Sequence, residues 1–423
     1  MNNFLNKLQT VFRDKVLRRR ILFTLAALVI FRFLATIPVP GIDVARLSQL
    51  LANNQFLGLL NIFSGGGLSQ LSIIMLGVGP YITASIIMQL LTMMSPKLKA
   101  MYQEEGELGR AKFAQYSRII SVPLALLQAF GFIILLQNQG VLGTLPLFGL
   151  IVNVLVIAAG SVLLMWIGEV ITEFGIGNGV SLIIFAGIVA ALPSGANQIL
   201  FSYDPSQIPL YIGFVIAALA IIFAVVIVTE AERPIPVTYA KRVRGNKVYG
   251  GVSTYLPLRV NQAGVIPIIF ALSILLFPQM IFNFLSQATN PTLQMVGSKL
   301  ATLFANGWFY SIFYFLLVFV FTYFYTAVTF DPHALSTNLQ KSGAFIPGVR
   351  PGESTSMYIA KVLTRITLVG ALFLGFIAVL PLAMKALTGI TALAIGGTAL
   401  LIVVSVVLDL IKKINAQISM REY

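Results

Sequence analysis

Pro209-Leu-Tyr-Ile-Gly-Phe-Val-Ile-Ala-Ala-Leu-Ala-Ile-Ile-Phe-Ala-Val-Val-Ile-Val-Thr229 runs for 21 residues without a charged side chain. At about 1.5 Å per residue, a helix of that length matches the roughly 30 Å hydrocarbon core of a bilayer. Nothing in the stretch favours one helix face over another, so it reads as a membrane span and not as an amphipathic surface helix. Working outward, nine comparable stretches lie near 21–38, 73–94, 118–137, 148–168, 178–193, 262–285, 308–328, 366–384 and 392–410. The fifth in chain order, 178–193, is short for a bilayer. The sequence therefore predicts an all-α, polytopic membrane protein with ten transmembrane helices.

Composition agrees. Apolar residues make up 58% of the 423, and charged ones only 10%, against about 25% in soluble domains. There is no Cys and a single His, His333. That excludes disulfide scaffolds, thiolate or multi-histidine metal sites and cysteine nucleophiles. No catalytic residues, metal ligands or cofactor are expected. Gly175-Ile-Gly177-Asn-Gly179 has the wrong spacing for a dinucleotide loop and joins two apolar spans, so it reads as a tight turn.

The formal charge is +14. With ten spans the termini share one side. All but four of the 28 Lys and Arg fall there, the exceptions being Arg32 inside the first span and Arg46, Lys299 and Lys385 opposite. The positive-inside rule makes both termini cytoplasmic. Residues 1–20 read as a cytoplasmic amphipathic helix on anionic lipid, with Phe4, Leu5, Leu8, Val11 and Phe12 at helical spacing. The first span reads as an anchor and not as a cleaved signal. Two long loops, about 230–261 and 329–365, put protein-facing work on the cytoplasmic side. The stretch 194–208 divides the spans five and five as a hinge between an N-terminal half (21–193) and a C-terminal half (209–411), with a tail at 412–423. No repeat between the halves is visible in the sequence.

Intramembrane charges, which mark transport pathways, are scarce. Arg32, Glu169 and Glu173 suit structural pairing better than a proton relay. Residues 56–72 are apolar but broken by Ser64-Gly-Gly-Gly67. On the residues alone they are either a re-entrant segment or a surface loop.

Seven stretches, in order, carry a resemblance. They are Ile37-Pro-Val-Pro-Gly-Ile-Asp43, Asn61-Ile-Phe-Ser-Gly-Gly66, Pro80-Tyr-Ile-Thr-Ala-Ser-Ile-Ile-Met-Gln89 and Glu173-Phe-Gly-Ile-Gly-Asn-Gly179. Then come Asn261-Gln-Ala-Gly-Val-Ile-Pro267, Ser342-Gly-Ala-Phe-Ile-Pro-Gly-Val-Arg-Pro-Gly-Glu353, and Gly396-Gly-Thr398 with Leu400-Leu-Ile-Val-Val404. Together they resemble the bacterial SecY family, the channel of the general protein-secretion translocon, over nearly the whole chain.

The resemblance implies two pseudo-symmetric five-helix halves that open like a clamshell to pass unfolded secretory polypeptides and release hydrophobic segments sideways into lipid. It implies a constriction ring of Val78, Ile82, Val180, Ile184, Ile269 and Ile402. It implies a plug over about 56–72 that includes Asn61, Ile62, Phe63, Ser64, Gly65, Gly66, Gly67 and Leu68. A lateral gate between spans two and three and spans seven and eight would carry Gln89. Lys241, Arg242, Arg244, Lys247 and Arg350 would dock the motor ATPase SecA and the ribosome. Asn246 stands where many relatives are basic. SecE and SecG would be membrane partners, in a bacterial plasma or thylakoid membrane. An apolar ring fits that task, since it excludes ions by dewetting and offers no fixed hydrogen-bond pattern. The alternative is a secondary transporter of a small solute, which would place polar or charged groups at midplane.

Overall fold

The computed structural model describes residues 14–39, 64, 66–68, 71–138, 142–143, 146–201, 208–239, 242–244, 247–249, 253–286, 290–388 and 396–419. A helix occupies each of the ten apolar stretches: α1 Lys15–Ala35, α2 Gly79–Met94, α4 Gly106–Asn138, α5 Leu147–Phe174, α6 Gly179–Phe201, α7 Ile208–Glu230, α8 Ile266–Leu285, α10 Gly307–Thr329, α12 Glu353–Thr388 and α13 Gly396–Ser419. Three shorter helices connect them: α3 Pro96–Gln103, α9 Pro291–Ala305 and α11 Pro332–Lys341. Among the described residues, four stretches are long and apolar enough on their own to cross a membrane: 106–137, 147–174, 307–341 and 353–384.

Several boundaries differ from the sequence reading. The second span begins at Gly79, not near 73. Gly77 has φ +59 and Pro80 sits in the first turn, so the backbone at 71–78 forms turns instead of extending the helix upstream. The fifth helix is not short. It passes Pro193 and continues to Phe201, taking in much of the stretch read as the hinge. Asp14 caps α1, accepting from the Val16 and Leu17 amides, so Arg18–Arg20 stand on the same helix as the first span.

The helices are joined by a fold the hydropathy did not reveal. Strand β1 (Glu232–Tyr239) pairs antiparallel with β4 (Ser253–Arg259), with Glu232 opposite Arg259 and Thr238 opposite Ser253. Between them, β2 (Arg242–Arg244) and β3 (Lys247–Tyr249) form a hairpin. On its other edge β1 pairs with β5 (Ala344–Phe345), so one sheet binds both long loops. Ile235 and Val237 alternate inward with Leu258 and pack on Ala344, Ile346, Ile359 and Val362. The molecule remains mostly helical, and among the described residues the named strands fall in the two long loops.

The two sets of five helices meet along two seams. On one, α2 and α4 pack against α8; on the other, α6 packs against α13. The second seam ends in a clasp at Ile176. Its side chain is buried with Leu17 of α1 and Ile418 of α13, flanked by Ile21, Leu410 and Ile414. Its amide donates to Thr24 Oγ1 at 3.2 Å. The Gly175–Gly179 turn is thus an anchor point as well as a turn.

Candidate functional site

Four separate segments bring the six aliphatic residues together. Val78 immediately precedes α2 and Ile82 follows in its first turn. Ser161 Oγ on α5 donates to the Gly77 carbonyl at 2.7 Å and so fixes that entry. A Cβ on neighbouring Gly160 would collide with the Ile73 carbonyl oxygen, so α5 needs glycine there to approach. Val180 and Ile184 lie at the start of α6. Gly179 begins that helix against the Gly168 carbonyl, where no side chain fits, and its amide donates to Thr172 Oγ1 at 2.8 Å. Ile269 comes from α8 and Ile402 from α13. All but Val180 are buried in one apolar cluster, and half-buried Val180 packs against it.

A cavity of about 690 Å³ ends on this cluster. Ile82, Val180, Ile184 and Ile269 line it together with Tyr81, Ser85, Gln89, Arg118, Glu169 and Glu173. Arg118 Nε donates to Glu169 Oε1 at 2.6 Å. Glu169 is therefore paired, but with a partner the sequence did not suggest. The cavity lining is thus mixed, with charged and polar side chains alongside the aliphatic ones. An adjoining cavity of about 290 Å³ is lined by Asn178, Ser181, Asn261 and Ser405. Asn261 Oδ1 and Ser405 Oγ are buried without a hydrogen-bond partner. Asn261 opens one of the stretches that carry the resemblance but takes no role from it, and Ser405 does not stand out in the sequence, since a polar side chain carries no signal until its burial is known.

Gln89 lies on α2 at the first seam. Its Nε2 donates to Ser85 Oγ at 3.4 Å, while its Oε1 is buried and unpartnered. That bond lies within α2, so Gln89 makes no described hydrogen bond across the seam; polar contacts between membrane helices contribute only about 0.6 kcal/mol on average.

Of the expected plug, Asn61, Ile62, Phe63 and Gly65 lie outside the described residues. The remainder is tied down. Ser64 Oγ accepts from the Leu68 amide at 3.0 Å, and the Ser72 amide donates to the Gly67 carbonyl at 2.9 Å. Val39 donates to Leu71, and Ile73 to Ile37, across a short bridge. Leu68 and Leu71 are fully buried, not among the six aliphatics but in a second cluster with Phe132, Ile133 and Leu136 of α4. Gly66 adopts φ +82, with Arg32 Nη1 about 3.8 Å from where its Cβ would stand. Arg32 itself lies in the last turn of α1, where the helix dipole favours a cation.

Of the basic loop residues, Lys241 lies outside the described residues, while Arg242, Arg244 and Lys247 fall on the β2–β3 hairpin. Arg350 is exposed on a turn held from below. Ser336 Oγ donates to the Gly352 carbonyl at 2.6 Å, and Thr355 Oγ1 to the Arg350 carbonyl at 2.8 Å. Gly348 (φ +83) and Gly352 (φ +99) supply the left-handed conformations the turn requires.

The SecY family model matches residues 72–411. The protein translocase subunit SecY of Mycobacterium leprae is 42% identical over 100% of this chain and 99% of its own length. This chain belongs to the SecY family. Solved structures share the fold. A protein-conducting channel superposes with TM-score 0.65 at 19% identity, covering 96% of this chain and 93% of the other. Sec61 in the canine ribosome–channel complex from the endoplasmic reticulum gives 0.62 at 18% identity, covering 96% and 93%. A SecY-family chain with these apolar helices is an integral membrane protein, and the solute-transporter alternative finds no support.

Proposed function

We propose that this chain is the protein-conducting channel subunit of a Sec translocon, passing unfolded secretory polypeptides through the six-residue aliphatic ring and releasing hydrophobic segments between α2 and α8. One observation carries the reading. Branched aliphatics from four separate segments pack into one uncharged cluster, and those of three of the segments line a cavity that also carries Arg118, Glu169 and Glu173. Ions would need to shed water to pass such a cluster, while a polypeptide of any sequence meets no fixed hydrogen-bond pattern. The chain is a channel subunit and does no chemistry of its own; the energy comes from a docked motor or from translation.

The finer assignments follow from that reading. The segment about 56–72 is the plug, and its described part is held by backbone and side-chain hydrogen bonds at Ser64, Gly67, Leu68 and Ser72. Gln89 is a weak latch on the lateral gate, and 194–208 links the halves. The termini and the sheet face the cytoplasm of a bacterial cell at its plasma membrane. Arg350 and the β2–β3 hairpin receive SecA and the ribosome, which is consistent with the ribosome-bound canine neighbour. SecE and SecG complete the complex.

The test is export of a reporter whose signal sequence is defective. Ile402→Asn should restore its export, because an amide in the ring gives water a foothold and eases opening. Ile411→Asn is the control: it lies on the same helix but is exposed. Equal behaviour of the two variants would overturn the ring.

A further inference from the structure

α9 has no role in the channel as described, yet its position is constrained. It lies between α8 and α10, at the end of those helices away from the β-sheet. Only Asn306 separates its last residue, Ala305, from Gly307, where α10 begins. The Asn306 side chain accepts from the Trp308 amide, fixing the corner. The C-terminal turn of α9 therefore sits where α10 enters the membrane, and Trp308 is 77% exposed there, as interfacial tryptophans commonly are.

The helix has two distinct apolar surfaces. One packs on the bundle. Gly297 meets the end of α8, where a Cβ would collide with the Ser286 amide. The Phe304 ring lies 5.4 Å from Phe282 of α8, and 5.4 and 5.6 Å from Phe309 and Phe313 of α10. Beside that face, at helical spacing, Leu293, Val296 and Leu303 are 46%, 50% and 42% exposed. Gln294, Ser298 and Thr302 are exposed on the far side, with Met295, 58% exposed, among them.

We propose that α9 rests on lipid, with the Leu293–Val296–Leu303 flank at the boundary between headgroups and acyl chains of the leaflet opposite the sheet. The occupant is argued from continuity: this flank borders the lipid-facing surface of two membrane helices, one of which begins two residues after α9 ends. A helix bearing an apolar stripe beside a polar one settles about 5–10 Å into that boundary. Lys299, exposed beside the flank, would face the headgroups. Because Phe304 holds α8 and α10 together, α9 ties both helices to the surface of the bilayer. The proposal rests on the membrane placement of the chain and not on the channel reading.

The experiment uses the full chain with its two tryptophans, Trp166 and Trp308, replaced by Phe. Single tryptophans are then introduced as Val296→Trp, Leu293→Trp or Ser298→Trp. In phosphatidylcholine vesicles, fluorescence at 296 and 293 should be quenched about twofold more strongly by lipids brominated high on the acyl chain than by aqueous iodide, and fluorescence at 298 the reverse. If 296 and 293 respond to iodide as 298 does, the flank lies in water and the proposal fails. If neither reagent reaches them, protein covers the flank and the proposal fails equally. Using both 293 and 296 guards against a single variant that does not fold.

Discussion

Irregular backbone occurs at two critical places in this protein, and they are built alike for different ends. Between Ser64 and Val78, the described residues form turns among the membrane helices. Between Ile346 and Gly352, a turn projects from the sheet. Each uses glycine at positive φ, at Gly66 and Gly77 in one and at Gly348 and Gly352 in the other. Each is pinned by a serine from a neighbouring helix, Ser161 to the Gly77 carbonyl and Ser336 to the Gly352 carbonyl. In the first, the side chains turn inward: Leu68, Leu71 and Ile74 are fully buried, and even Leu71 accepts φ +45. In the second, the pins lie beneath and the charge of Arg350 points out. Non-helical backbone at membrane depth persists only when protein satisfies it. At the sheet, the same device leaves a charged side chain exposed.

The comparison breaks first at Gly160. Gly160→Leu drives a side chain into the Ile73 carbonyl and should cost about 3 kcal/mol or more, abolishing the folded subunit. Its yield and melting temperature in mild detergent are the readout, and a stable variant would mean that the inner turn does not need α5. Next is the ring, which the inner turn positions through Val78. For Ile402→Asn, losing most of one buried aliphatic contribution of about 1.5–3 kcal/mol should raise the open-to-closed ratio roughly tenfold, read as resting ion conductance in planar bilayers. Ile411→Asn should leave conductance unchanged.

Ser336→Ala leaves the Gly352 carbonyl without its partner at a cost of about 1–3 kcal/mol. It should lower motor-driven export without raising resting conductance. Arg350→Glu should give the same export defect with unchanged melting temperature, separating the charge from the turn that carries it. Smallest is Gly348→Ala. Open space surrounds it, so only the left-handed backbone is strained, by about 1 kcal/mol, visible as a small fall in melting temperature.

Among the described residues, hydropathy located every long helix, because a lipid-facing helix must be apolar along its length and few other structures are. It misplaced the start of α2, where Gly77 and Pro80 end helical geometry while composition stays apolar. It missed the strands: Ile235 and Val237 alternate for only two periods, and Pro234 and Pro236 mask them. The six aliphatics proposed as the ring looked like any lipid-facing residues until the family resemblance selected them. Nor does any local signal pair Arg118 with Glu169, 51 positions apart. Contacts of that kind are properties of packing, and Asn261 and Ser405 acquire meaning only once the helices are assembled.

The clasp at Ile176 has a consequence for biosynthesis. Its socket is made by Leu17, near the start of the first helix, and Ile418, near the end of the last. While the chain is being synthesised, Ile176 can bond to Thr24 but has no Ile418 to close over it. The second seam therefore stays unsealed on that face until α13 has been translated, so a polypeptide truncated before α13 should insert its early helices yet remain open to proteolysis around Gly175–Gly179.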